Sequence, residues 1–147
     1  MIETLKALAG AFAVSGCEQD MARCVLELAA SYGTCSRDAM GNVILHRPGG
    51  GKKVMLAAHL DAAGLIATET EGEKVRVGLV GAVEPNQWLG QQVQFASGTL
   101  GVVCADTGSK EITAESLFVD VLGQKVLPGD AAEPRSELRQ VQNWIVA

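Results

Sequence analysis

Leu5, Leu8, Ala9 and Phe12 recur at i, i+3, i+4 and i+7, a spacing that lays one apolar stripe along a first helix. A second stripe follows at Met21, Cys24, Val25, Leu28 and Tyr32. Ser15 stands three residues before Glu18, so the pair predicts a capping box at the start of that helix. Gly33 predicts a left-handed cap at its end.

The period then shortens. Residues 34 to 37, 42 to 46 and 53 to 58 read as strands, divided by the turn 38 to 42 and the glycine-rich hairpin 48 to 51. Val54-Met55-Leu56-Ala57-Ala58 is continuously apolar and short, as expected of a strand covered on both faces. From Gly64 onward no helical stripe remains. Short candidate strands at 64 to 69, 74 to 79, 91 to 95, 99 to 104, 117 to 121 and 124 to 127 predict a small all-β barrel. The expected architecture is therefore α/β: a partial α/β layer over residues 1–66, a β-barrel over 67–130, and a polar tail with an apolar end over 131–147. That tail is read as partly helical or loose.

Composition narrows the function. Apolar residues make up 48% and charged residues 20%, so the chain is rich in core material and poor in solvating charge. The net charge of −5 and the scattered basic residues argue against nucleic acid as a partner. Cys17, Cys24, Cys35 and Cys104 include no C-x-x-C pair and read as reduced thiols. Glu3 and Lys6 interrupt the first apolar stretch, which makes it a poor leader, and no run approaches the roughly 20 apolar residues of a membrane span. A cytoplasmic location without membrane contact is the expectation.

Candidate chemistry concentrates at His59 and Asp61, two apart at the carboxyl end of the apolar run, where both side chains can face one crevice. A neutral imidazole ligates a metal well, and a carboxylate beside it can hold the other ring nitrogen and fix the tautomer. On spacing alone, an isolated H-x-D pair is more often a satisfied structural contact than a metal site. The other polar residues have plainer readings. His46, beside Arg47, reads as a surface residue, and Ser15 as a helix cap without a base to make it a nucleophile. Asp106-Thr107-Gly108-Ser109 reads as a turn, and Glu133, Arg135, Glu137 and Arg139 read as a solvated face.

Taken in order, several short pieces make a larger pattern. They are Ser15-Gly16-Cys17-Glu18, Asp38 with Gly41-Asn42, and Ala58-His59-Leu60-Asp61-Ala62-Ala63-Gly64. Gly81, Leu89-Gly90-Gln91-Gln92-Val93, Gly98-Thr99-Leu100-Gly101-Val102-Val103, Phe118-Val119-Asp120 and Gly129-Asp130 complete the series. The series resembles the glutamyl and deblocking metallo-aminopeptidase family, some members of which have been called cellulases or endoglucanases. The resemblance implies an α/β peptidase layer carrying a β-barrel lid, and two metal ions that activate water for attack on a peptide bond. It implies that His59 is a metal ligand and that Asp61 orients it. Ala62 departs from the pattern, which has an acidic residue there. The bridging aspartate, the paired glutamates and the remaining ligands of the family follow the lid, and no counterpart of them is read here. The expectation is a truncated relative, inactive alone, one half of a divided peptidase or else a non-catalytic oligomerisation or binding module. Zinc or cobalt is expected only if a partner chain completes the site, and the partner is expected to be a second copy or a companion peptidase chain.

Overall fold

The computed structural model describes residues 1–108, 111–135, 138–141 and 144–146. The chain divides into two compact units, one of residues 1–13, 17–61 and 136–147, the other of residues 14–16 and 62–135.

The first unit carries helices α1 (Ile2–Ala9) and α2 (Gln19–Ala29) and a two-stranded antiparallel sheet of β1 (Thr34–Arg37) and β2 (Val43–His46). The helices meet where the Cys24 thiol donates to the Ala7 carbonyl at 3.5 Å, and Ala22 is the buried residue of α2. Register runs from Thr34 opposite His46 to Arg37 opposite Val43. Asp38 closes the turn between the strands: its carboxylate accepts from the Met40 and Asn42 backbone N–H groups and from the Asn42 side chain, at 2.9–3.0 Å. The Asn42 side-chain bond is the main reason the Asp38 carboxyl titrates below the usual carboxylate range.

Two expected helix caps are absent. Helix α2 starts at Gln19 with Glu18 at its N-cap and no side-chain cap. The Ser15 N–H instead donates to the Ala62 carbonyl at 3.1 Å, beside a parallel bridge between Val14 and Ala62, so the backbone there is strand-like. Helix α2 ends at Ala29 with Ala30 as a right-handed C-cap, before Gly33 is reached. Gly33 has a different duty: a Cβ on it would lie 2.5 Å from the His46 carbonyl oxygen, so the strand ends can approach only over a glycine.

The largest difference from the sequence reading lies at 53 to 58. That run forms no strand, and Val54, Met55 and Leu56 are exposed. A continuous apolar run becomes a buried strand only between two neighbours. Among the described residues it has none. The same unit contains a short antiparallel pair of β9 (Arg139–Val141) and β10 (Trp144–Val146), where the sequence suggested a loose or helical tail.

The second unit is a closed six-stranded barrel. Its strands are β3 (Gly64–Glu71), β4 (Lys74–Val80), β5 (Gln92–Phe95), β6 (Leu100–Ala105), β7 (Leu117–Asp120) and β8 (Ala131–Pro134). Their order around the barrel is β3-β4-β7-β6-β5-β8, with every pairing antiparallel and β8 returning to β3. Closure leaves no free edge. Side chains alternate as a barrel wall requires: Leu65 and Ala67 on β3, Val75 and Val77 on β4, and Val93 and Phe95 on β5 are buried, with Gln92 and Gln94 exposed between them. Trp88, Val121 and Val126 from the connections complete the core.

The sixth strand is not the one the sequence suggested. Residues 124 to 127 form no ladder, although Val126 is buried and its carbonyl accepts the Thr70 hydroxyl at 3.1 Å. Closure falls to β8, whose apolar content is only Ala131 and Ala132, both buried. The barrel unit accordingly runs from Ala62 to Arg135, where the sequence reading put 67–130. A β-bulge between Ala67 and Glu69 bends β3. There the Ala67 N–H reaches the Asp130 carbonyl at 2.8 Å and its own carbonyl accepts from Gly129 at 2.7 Å.

Candidate functional site

His59 and Asp61 lie in the first unit, outside any helix or strand. The structure brings them together. The His59 Nδ1 lies 2.8 Å from the Asp61 carbonyl oxygen and 3.2 Å from its Oδ1. Two acceptors at one ring nitrogen favour the tautomer with the proton on Nδ1, which leaves the Nε2 lone pair for a ligand or an incoming proton. The imidazole is 85% exposed and the carboxylate 43%.

This arrangement can hold an imidazole in one orientation and offer one nitrogen donor. It does not make a metal centre. Among the described residues no group of three or more His, Cys, Asp or Glu side chains is placed to hold a metal ion. The residues present therefore do not fit a two-metal site, which needs several carboxylates and imidazoles around each ion. Ala62, where the resemblance places an acid, spends its backbone on the bridge to Val14 and the bond from Ser15.

The remaining candidates are placed as follows. His46 ends β2, exposed, opposite Thr34. Ser15 flanks the Val14 bridge. Glu133 lies on β8 opposite Gln94, so its surroundings are those of a strand. Ser109 and Glu137 lie outside the described residues. All four cysteines are free thiols. No helix of the described residues is long and apolar enough to cross a membrane.

The sequence reading missed a long-range ion pair in the barrel. Asp106, taken as part of a turn, accepts two bonds from the Arg76 guanidinium, at 2.7 and 3.2 Å. The Lys74 ammonium stands 4.0 Å from the same carboxylate and 4.6 Å from the centre of the Phe118 ring. Hydrogen bonding from Arg76 holds the Asp106 carboxyl below its ordinary range. The pair spans 30 residues, and only the register of β4, β7 and β6 brings the two side chains together.

Comparison with known proteins adds what the local geometry does not. Residues 41–122 match the profile of the M42 glutamyl aminopeptidase family. A curated protein of Acetivibrio thermocellus is 29% identical over 126 residues, which are 82% of this chain and 38% of its own length. The lysyl aminopeptidase of Pyrococcus furiosus is 35% identical over 98 residues, 57% of this chain and 28% of its own. The solved structure of an aminopeptidase from the archaeon Desulfurococcus kamchatkensis superposes with a TM-score of 0.85 at 29% identity, covering 97% of this chain and 45% of that one. The chain thus spans less than half the length of the relatives it matches.

Proposed function

Because the chain belongs to the M42 glutamyl aminopeptidase family, we propose that it is one part of a divided metallo-aminopeptidase, without peptidase activity on its own. In this reading His59 contributes one ligand and Asp61 orients it. A companion chain brings the other ligands and the general base, and zinc or cobalt is held only in the complex. A cytoplasmic setting goes with the reading, since it suits four free thiols.

The observation that carries the reading is the shortage of donors. His59 and Asp61 are held together as a ligand and its support should be, yet no third His, Cys, Asp or Glu joins them among the described residues. A single imidazole on an exposed segment gives a metal too few bonds to be retained.

The test is to recover the tagged chain from its native extract, identify what accompanies it, and measure metal and aminoacyl-substrate hydrolysis with and without that companion. Metal and activity appearing only in the complex support the reading. Hydrolysis by the isolated chain, or a companion that brings neither metal nor activity, refutes it.

A second reading is favoured by one observation. Three consecutive large apolar side chains, Val54, Met55 and Leu56, are exposed. A surface of that kind suits a module whose task is association rather than catalysis.

A further inference from the structure

The Asp61 carbonyl that meets the His59 ring belongs to the peptide group joining Asp61 to Ala62. A peptide group is planar and rigid, so the direction of that carbonyl follows the backbone at Ala62. A carbonyl can only accept, and its 2.8 Å contact with Nδ1 therefore puts a ring proton on that nitrogen. Ala62 is held in turn. Its own carbonyl accepts the Ser15 N–H at 3.1 Å, beside the parallel bridge between Val14 and Ala62. Val14 is fully buried and is seated against Gly64, the first residue of β3. A Cβ added to Gly64 would come within 2.6 and 2.7 Å of the two Val14 methyl groups and 2.8 Å of the Ala132 carbonyl oxygen, so only glycine allows the seat. Gly64 pairs with Val80 of β4, which makes the seat part of the closed barrel wall.

We propose that Val14, through its seat on Gly64 and its bridge to Ala62, is a positioning residue for His59: it fixes the peptide group whose carbonyl selects the ring tautomer. The inference rests on the reading of His59 as a metal ligand, because a ligand nitrogen has to be both unprotonated and aimed. A proton held on Nδ1 leaves the Nε2 lone pair for the ion. Val14 touches neither the ring nor an ion and acts through the backbone alone. Its branched side chain has little rotamer freedom, which suits a fixed anchor. The Asp61 carboxylate, 3.2 Å from Nδ1, then supports an orientation that the backbone has already set.

The test is NMR of the His59 ring nitrogens in the full chain, at a pH where the imidazole is neutral. The chain has two histidines, so a His46→Gln background leaves only the His59 signals. Val14→Ala and Val93→Ala remove the same atoms from two fully buried positions, one in the seat and the other in the barrel core. The parent should show mainly the Nδ1–H tautomer. Val14→Ala should shift the population towards Nε2–H, the form a free imidazole prefers, and Val93→Ala should leave it unchanged. Gly64→Ala disturbs the seat from the other side, should shift the population the same way, and carries the test if Val14→Ala does not fold. A parent dominated by Nε2–H overturns the proposal. A tautomer ratio that neither seat variant moves overturns it too, as does one that Val93→Ala moves equally. Neither metal nor a companion chain enters the measurement, so the two readings fail separately. A companion that brings no activity refutes the divided peptidase and leaves these spectra as they are, whereas an unresponsive tautomer refutes only the role of Val14.

Discussion

The two units show how differently a core can be built from similar raw material. In the barrel, closure of six strands places Leu65, Val75, Val93, Phe95, Leu117 and Val119 beyond the reach of water. In the first unit the buried apolar residues among those described are Ala13 and Ala22, while Tyr32, Met40, Val54, Met55 and Leu56 face solvent. The barrel buries most of its large apolar side chains and leaves Ile66, Leu89, Leu122 and Leu127 exposed. The first unit leaves those five uncovered, and it is the unit that carries His59 and Asp61. The larger buried core and the candidate chemistry are therefore on opposite sides of the chain's internal division.

That contrast can be broken most sharply by truncating one large side chain in each unit. Phe95→Ala should cost about 3–5 kcal/mol, the usual range for a buried phenylalanine. Leu56→Ala should stay within about 0.5 kcal/mol, as exposed positions do. Urea unfolding followed by circular dichroism measures both, and equal effects would remove the distinction between the units. A smaller loss is expected from Gly64→Ala, about 1–3 kcal/mol by overpacking. A Cβ there would lie 2.6 Å from Val14 and 2.8 Å from the Ala132 carbonyl oxygen. The barrel's unfolding midpoint should fall while the helical signal of the first unit holds.

Leu122 should respond in the opposite sense. It sits at φ +52°, exposed, in the turn where the Gln124 N–H reaches the Val121 carbonyl. Leu122→Gly should stabilise the barrel by about 0.5–1 kcal/mol, read as a raised midpoint, because glycine takes this backbone region without strain. The smallest effect expected is a pH dependence. Asp106 has a depressed pKa in the fold, so its contribution is present above the ordinary carboxylate value of about 4 and is lost as pH falls through the folded value. Asp106→Asn should be less stable than the parent at neutral pH, and the gap should narrow as acid is added. A gap that stays constant down to acid pH would show that the Arg76 pair contributes nothing through the charge of Asp106.

What could be read from the sequence follows the same division. Strands β3 to β6 were legible because buried and more exposed positions alternate along them within a closed wall, so local period and final burial agree, and β7 was legible as a short apolar run, buried at Leu117, Phe118 and Val119. Strand β8 was not, because two alanines followed by Glu133 and Pro134 carry little apolar signal; its place comes from hydrogen bonds to β3 and β5. The segment 124 to 127 misled in the other direction, since Val126 is buried by packing without joining a ladder. The run 53 to 58 read as a covered strand because its composition is that of one, but composition does not supply neighbours. Ser15 and Glu18 have capping-box spacing, yet the bridge between Val14 and Ala62 takes that backbone into the other unit. The proximity of His59 and Asp61 was legible, being local. The Arg76–Asp106 pair was not, because it depends on strand register.

The neighbouring positions of β3 and β8 have a further consequence. Leu65 lies opposite Ala132, so the chain enters and leaves the barrel side by side, about one strand spacing apart. A segment whose two ends meet in this way can be spliced into a surface loop of an unrelated host without pulling the host's own ends apart. It can also be circularly permuted by joining those ends and opening a turn elsewhere. Residues 62–135 are thus a portable cassette, and what they would leave behind is the segment Val14–Gly16, whose Val14 side chain rests against Gly64 and whose Ser15 N–H donates to the Ala62 carbonyl.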